Sequence, residues 1–214
     1  MLLSHPKINV NIRGVNDCSP LILSCCNGHS EITQKLVSTP GVDLNCQNSD
    51  GNTAAMIAAC HNQTECLKIL ATQDSVEWNI QDDDFGGTAA MCAVYQNQVE
   101  NVRILLTIPS INWNMRMNDN SSAVTIALEG GNKEIINLVL SAGGLALDVD
   151  HMKSKNVFDK AVTACKEFVL GKMGDDGIDD EEMITSFALE NDMVEIAKVL
   201  GMYLTLFDGV RIIV

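Results

Sequence analysis

From Ser19 onward the apolar residues fall into short blocks at helical spacing, and each block is followed about ten residues later by a second. The first runs Ser19-Pro20-Leu21-Ile22-Leu23-Ser24-Cys25-Cys26, and after the polar turn Asn27-Gly28-His29-Ser30 the second runs Glu31-Ile32-Thr33-Gln34-Lys35-Leu36. Apolar positions three and four residues apart predict a pair of short amphipathic helices. Ser19 can accept an orphan amide at the first helix start, where Pro20 has no amide to satisfy. Glu31 places a negative charge at the positive end of the second helix.

The pair recurs with a period of 34 and one slip to 35, the signature of a repeat array. Inner-block copies begin at Thr53-Ala54-Ala55-Met56, Thr88-Ala89-Ala90-Met91 and Ser122-Ala123-Val124-Thr125. Outer-block copies are Glu65-Cys66-Leu67-Lys68-Ile69-Leu70, Glu100-Asn101-Val102-Arg103-Ile104-Leu105 and Glu134-Ile135-Ile136-Asn137-Leu138-Val139. A third block, Val42-Asp43-Leu44-Asn45, Val76-Glu77-Trp78-Asn79 and Ile111-Asn112-Trp113-Asn114, closes each unit before a polar tip. Trp78 and Trp113 share a repeat position, which argues for packing at the base of the arms rather than for ligand stacking. Each unit therefore reads as a capped inner helix, a turn, an outer helix and an extended arm.

The strings Asn27-Gly28-His29-Ser30-Glu31-Ile32, Pro40-Gly41-Val42-Asp43-Leu44-Asn45 and Asp50-Gly51-Asn52-Thr53-Ala54-Ala55 resemble the ankyrin repeat. The resemblance implies an all-α fold with short β-hairpin arms, an ankyrin-repeat α-solenoid. The family's Leu-His pair is replaced by Leu21-Ile22, Ala55-Met56, Ala90-Met91 and Val124-Thr125, which removes the histidine that braces the hairpin turn. The whole chain reads as one domain, with a partial N-terminal unit at 1–14, repeats at about 15–46, 47–81, 82–116 and 117–148, and divergent repeats over 149–214. Ile8-Asn9-Val10-Asn11 lies 34 residues before Val42-Asp43-Leu44-Asn45, so the N-terminal unit is the end of a repeat. That half-unit and the apolar run Val210-Arg211-Ile212-Ile213-Val214 lean toward a fragment of something longer. Gly171 to Asp180, rich in Gly and Asp, reads as a loop, and Glu181–Leu189 with Met193–Leu204 read as a last helix pair.

In such a solenoid the inner-helix ends and arm tips are the positions left free by stacking. The resemblance then points to Asn16, Cys26, Asn27, Asp50, Asn52, His61, Asp82, Asp83, Asp84, Phe85, Tyr95, Gln96, Asp119 and Glu129 as the protein-binding set. Asp82-Asp83-Asp84-Phe85 is the most informative, because three carboxylates flank an aromatic that the core does not require.

Acids outnumber bases 28 to 14, for a formal charge of -14, so a nucleic-acid partner is disfavoured and a basic protein segment is attracted. Aromatics make up only 4% of the chain, so small aliphatics and thiols must fill the core. The eight cysteines lack the paired spacing of a zinc site, and adjacent Cys25 and Cys26 suit buried thiols better than disulfides. Asp175 to Glu182 fails the calcium-loop pattern, since Met183 stands where its bidentate Glu belongs. Lys153, Lys155, Lys160, Lys166 and Lys172 form a basic stretch or a solvated helix face. No phosphate loop, zinc-protease motif or serine elbow occurs, and no apolar run spans a bilayer.

These features predict a non-enzymatic protein-binding scaffold without cofactor, catalytic or metal residues, working in the cytoplasm with the nucleus left open. Its oligomeric state is open, a monomer being the simpler expectation. Two alternatives stand beside it: a targeting or regulatory domain of a larger enzyme or channel, and a self-associating structural or inhibitory adaptor.

Overall fold

The computed structural model describes residues 8–143 and 158–173, together with 184, 185, 188 and 196. Four helix pairs follow one another: α1 (Pro20–Cys26) with α2 (Ser30–Val37), α3 (Ala54–Cys60) with α4 (Thr64–Ala71), α5 (Ala89–Tyr95) with α6 (Val99–Leu106), and α7 (Ala123–Gly130) with α8 (Lys133–Ser141). A longer helix, α9 (Phe158–Met173), packs against α7 and α8. The odd-numbered helices α1 to α7 stack as an inner row and the even-numbered ones as an outer row.

Seven to nine residues are too few for a helix to persist alone in water, so each paired helix depends on its caps and its neighbours. Ser19, Thr53 and Thr88 accept the amides of Ile22, Met56 and Met91 at 3.3, 3.3 and 3.4 Å. Ser122 heads a capping box in which its own amide donates to Thr125 Oγ1 at 2.6 Å. The turn from inner to outer helix needs one left-handed residue, supplied by Gly28, Asn62, Asn97 and Gly131 at φ 57 to 72°. Asparagine is the side-chain-bearing residue that tolerates this region best.

Alanine dominates the middle of the inner row. Ala54, Ala55, Ala58, Ala59, Ala89, Ala90 and Ala93 are all buried, and their small side chains let α3 and α5 approach closely. The outer row supplies the larger aliphatics: Leu36, Leu67, Leu70, Val102, Leu105, Ile135 and Val139 are all buried, each leucine-sized side chain contributing about 1.5–3 kcal/mol. Trp78 and Trp113 are buried at the arm bases, as their shared repeat position suggests.

Two ladders of side-chain amides tie the units together. In the first, Asn11 Nδ2 donates to Gly41 O and Asn11 Oδ1 accepts from Asp43 N, both at 2.8 Å. Asn45 repeats this on Ser75 O and Glu77 N, and Asn79 on Ser110 O and Asn112 N, all at 2.8 Å. Asn114 Nδ2 reaches Gly143 O at 2.9 Å. In the second ladder, Gln47 Nε2 donates to Gly51 O of its own arm at 2.7 Å and to Gln81 O of the next unit at 3.2 Å. Gln81 does the same to Gly86 O and to Arg116 O, the latter at 2.8 Å, and Arg13 Nη1 to Asp17 O at 2.9 Å and Gln47 O at 2.7 Å. This second ladder braces the arms that lack the family's histidine.

The expected β-hairpin arms are tight fingers rather than paired strands. Each is closed at its base by one short backbone bond, and the only β pairing among the described residues is an isolated bridge between Arg116 and Ser122. Helix α9 runs through Gly171 to Met173, so the first three residues of the loop expected over Gly171–Asp180 are helical instead; one glycine is not enough to stop a helix. Residues 174–180, the C-terminal run 210–214 and most of the expected last helix pair lie outside the described residues. Within that pair Ile184, Ala188 and Ile196 are helical and buried.

Asn79→Ala removes both bonds that this side chain makes to the next unit, and should lower stability by about 2 kcal/mol, read as a lower urea midpoint at constant m-value. At Gly51, φ is 76° and an added Cβ would lie 2.4 Å from the Asp83 backbone nitrogen, whereas at Gly41, φ 83°, it would meet nothing within 4 Å. Gly41→Ala should cost about 1–2 kcal/mol for the left-handed backbone alone, and Gly51→Ala measurably more. Equal losses in the two urea titrations would refute the crowding at Asp83.

Candidate functional site: the finger row and inner-helix ends

The fingers are positioned by the ladders beneath them and by bonds between neighbouring tips. Ser49 N donates to Asn16 O at 3.0 Å, Asp83 N to Asp50 O at 3.2 Å, and Asn118 N to Phe85 O at 2.8 Å, so the four tips form one linked row. Three tips hold five residues, closed by Gly14 N to Cys18 O at 2.9 Å, Asn48 N to Asn52 O at 3.0 Å and Met117 N to Ser121 O at 2.8 Å. The third holds six, closed by Asp82 N to Gly87 O at 2.9 Å. The single slip in the repeat period is this extra residue.

The longer tip is organised by Asp82. Its Oδ1 accepts Phe85 N and its Oδ2 accepts Gly87 N, both at 2.7 Å, so this carboxylate folds the finger. Asp83 and Asp84 are exposed beside it. Phe85 is 67% exposed, so its ring does not fold back into the core. At the first finger, Asn16 and Asp17 both take left-handed angles, φ 54 and 55°, and present Val15 at 84% exposure. Asp50 and Asp119 lie exposed on the second and fourth tips, and Asn52 is half-buried at the base of the second.

The remaining candidates cluster at the C-terminal ends of the inner helices. Cys26 Sγ lies 3.5 Å from His61 Nδ1 across the first junction. Asn27 Nδ2 donates to Leu23 O at 2.8 Å, which holds it to its own helix. Tyr95, 75% exposed, and Gln96 end α5, and Glu129 is exposed near the end of α7. The structure thus divides the set into a tip group and a helix-end group. Within a unit the two are joined through the inner helix and its cap, Thr88 in the third unit.

Sequence reasoning missed a pair of thiols. Cys60 ends α3 and Cys92 lies on α5, and the two thiols influence each other across the junction. The neighbouring Cys92 thiol, helped by the charge of His61 and by Gln96, pulls the Cys60 thiol down to about 6 against partial burial, while Cys92 is pushed above the ordinary thiol range. The two do not share a repeat position, so no alignment of units brings them together. Gln47 and Gln81 were missed too, although a long polar side chain just before each tip was a visible signal.

Charge is sorted between the two rows. The described lysines 35, 68, 133, 160, 166 and 172 all lie on α2, α4, α8 or α9, none on a finger or an inner helix. Ion pairs on that side join Lys68 to Glu65 and Lys133 to Glu167, each at 2.8 Å, and Arg103 to Glu134. The finger arginines Arg13 and Arg116 are spent on backbone carbonyls of their own tips. No three His, Cys, Asp or Glu side chains converge as metal ligands among the described residues, and no described helix is long and apolar enough to cross a membrane.

With paired helices, ladders and finger row in place, the class of protein is defined: a stacked helical-repeat module. The sequence model of ankyrin repeats (3 copies) matches residues 1–82, 21–117 and 72–153, and the chain belongs to the ankyrin-repeat family. Ankyrin repeats are protein–protein interaction modules, typically without catalysis of their own. No curated protein matches the chain.

The interaction between the two thiols makes Cys60 the more reactive of the pair. At pH 7 iodoacetamide should alkylate it roughly tenfold faster than Cys92, and Cys92→Ala should slow Cys60 severalfold at pH 7 but little at pH 9. Mass-spectrometric rates that give Cys60 the same pH profile with and without Cys92 would contradict the assignment.

Proposed function

We propose that the finger row and inner-helix ends hold a basic or mixed-charge segment of another protein. The observation that carries this reading is Phe85, exposed on the one lengthened finger next to the exposed Asp83 and Asp84, with a second aromatic, Tyr95, exposed at the far end of the inner helix that follows. An exposed aromatic set among acidic groups can anchor an apolar side chain while the carboxylates steer a neighbouring Lys or Arg. The absence of described lysines from this side sharpens the contrast, since a basic segment meets no competing cation from that residue type here. Four buried thiols among eight free cysteines suit a reducing compartment, and we place the protein in the cytoplasm on that ground.

A peptide array of Lys/Arg-rich segments carrying a single aliphatic or aromatic anchor tests the reading. Phe85→Ala should weaken the best binders about tenfold, and Asp83→Asn with Asp84→Asn should flatten their salt dependence. Asp82 is left untouched because it folds the finger. Binders indifferent to both variants would sink the proposal for this face.

A further inference from the structure

Thr33 on α2 is a fully buried hydroxyl at a repeat position that the later units fill with Leu67, Val102 and Ile136, all buried. Around its oxygen gather Ser24 Oγ at 2.9 Å, Cys66 Sγ at 3.4 Å and Cys25 Sγ at 3.9 Å. Ser24, Cys25 and Cys66 are buried as well. Cys25 belongs to the first unit and Cys66 to the second, so one hydroxyl holds two thiols from neighbouring units in a single buried cluster. Stacking requires neither thiol: Ala59, Val94 and Leu128 fill the Cys25 position in the later units, and Asn101 and Ile135 fill that of Cys66.

The hydroxyl protons of this cluster can turn without stranding a partner. Thr33 Oγ1 donates either to His29 O, at 3.1 Å, or to Cys66 Sγ, and His29 O also accepts the Thr33 amide at 2.9 Å, so it keeps a bond when the hydroxyl turns away. Ser24 Oγ likewise lies 2.9 Å from Leu21 O and 2.9 Å from Thr33 Oγ1. With Ser24 donating to Thr33 and Thr33 to Cys66, two hydroxyl dipoles point toward one sulfur, an arrangement that favours its thiolate. The neighbouring Cys25 thiol acts on Cys66 in the same direction, while Cys25 itself is pushed up by Cys66 and by burial. The pair is asymmetric: Cys66 ionises and Cys25 keeps its proton.

Access sets the second constraint. A groove of about 410 Å³ runs between α2 and α4, and Ser30, Gln34, Glu65 and Ile69 of its lining flank Thr33 and Cys66 along their helices. Cys25 and Cys66 are themselves 0 and 1% exposed, so the reagent that reaches them must be small and uncharged.

We infer that Cys25, Thr33 and Cys66 form an oxidation site for hydrogen peroxide, at which the two thiols close to a disulfide joining the first unit to the second. The Cys66 thiolate attacks one peroxide oxygen; the O–O bond breaks, the sulfur becomes a sulfenic acid, and the hydroxide released takes up the proton that Cys66 had lost. The Cys25 sulfur then attacks that of Cys66, the S–S bond forms as the S–O bond breaks, and the Cys25 proton leaves with the hydroxyl as water. Two thiols and one peroxide give one disulfide and two waters. The bond ties α1 to α4, and an external thiol reverses it by exchange. The inference does not rest on the partner reading of the finger row.

The folded full chain is treated with hydrogen peroxide at pH 7, the remaining thiols are blocked with N-ethylmaleimide, and unreduced digests are read by mass spectrometry. The linked Cys25–Cys66 peptides should accumulate and should disappear with dithiothreitol. Thr33→Val, the residue that the third unit carries here as Val102, should slow the link severalfold by removing the hydroxyl. Glutathione disulfide at the same concentration should modify the partly exposed Cys26 and leave buried Cys66 untouched. Absence of the linked peptides in the unmodified chain overturns the inference, as does a rate unchanged by Thr33→Val or glutathione found on Cys66.

Discussion

Each unit of this protein lacks half of its own core and obtains it from the neighbour. A helix pair of fifteen or so residues buries one side on itself and leaves the other bare, and only the next pair, set down in the same orientation, completes it. Everything else follows from keeping that orientation. The asparagine ladder fixes the spacing of the arms, the glutamine ladder ties each arm to its own finger and to the next, and the left-handed turn residue holds inner and outer helices at a constant angle. Alanine in the inner row is as much a part of this as leucine in the outer row, because close approach there is what brings the amides into reach.

The architecture was legible in the sequence because the period is strict wherever stacking is involved. Ser19, Thr53, Thr88 and Ser122 recur as caps, Leu36, Leu70 and Leu105 as core, and Trp78 and Trp113 as paired base residues. The site was legible only in outline. Repeat logic marked the tips as free, but it could not tell that Asp82 turns both carboxylate oxygens inward while Asp83 and Asp84 remain outside. Three consecutive identical residues carry no sign of which one closes a turn. The Cys60–Cys92 contact joins non-equivalent positions in adjacent units, so it is invisible to any argument from periodicity. Helix α9 ran past its glycine because its packing on α7 and α8 outweighs a modest local cost.

The sorting of charge between the rows has a physical logic. Long basic side chains can cover apolar surface on the outer helices and pair with the glutamates that open them, at little net gain in stability. Fingers have no such surface to cover, and their short acidic and amide side chains are instead the ones that cap turns. Asp82 illustrates how one residue type serves both ends: its chemistry folds the tip, and the same chemistry at Asp83 and Asp84 faces outward as negative field.

The third finger shows where such a molecule can vary. Its additional residue is taken up entirely between Gln81 and Thr88, so the ladder below and the helix cap above stay in register with their neighbours. Change in length is thereby insulated from the stack, and a lineage can lengthen, shorten or recompose a tip one residue at a time without re-optimising the scaffold that carries it. Recognition in this protein can drift quickly while its frame stays under strict constraint, and the boundary between the two lies at the backbone hydrogen bond that closes the base of each finger.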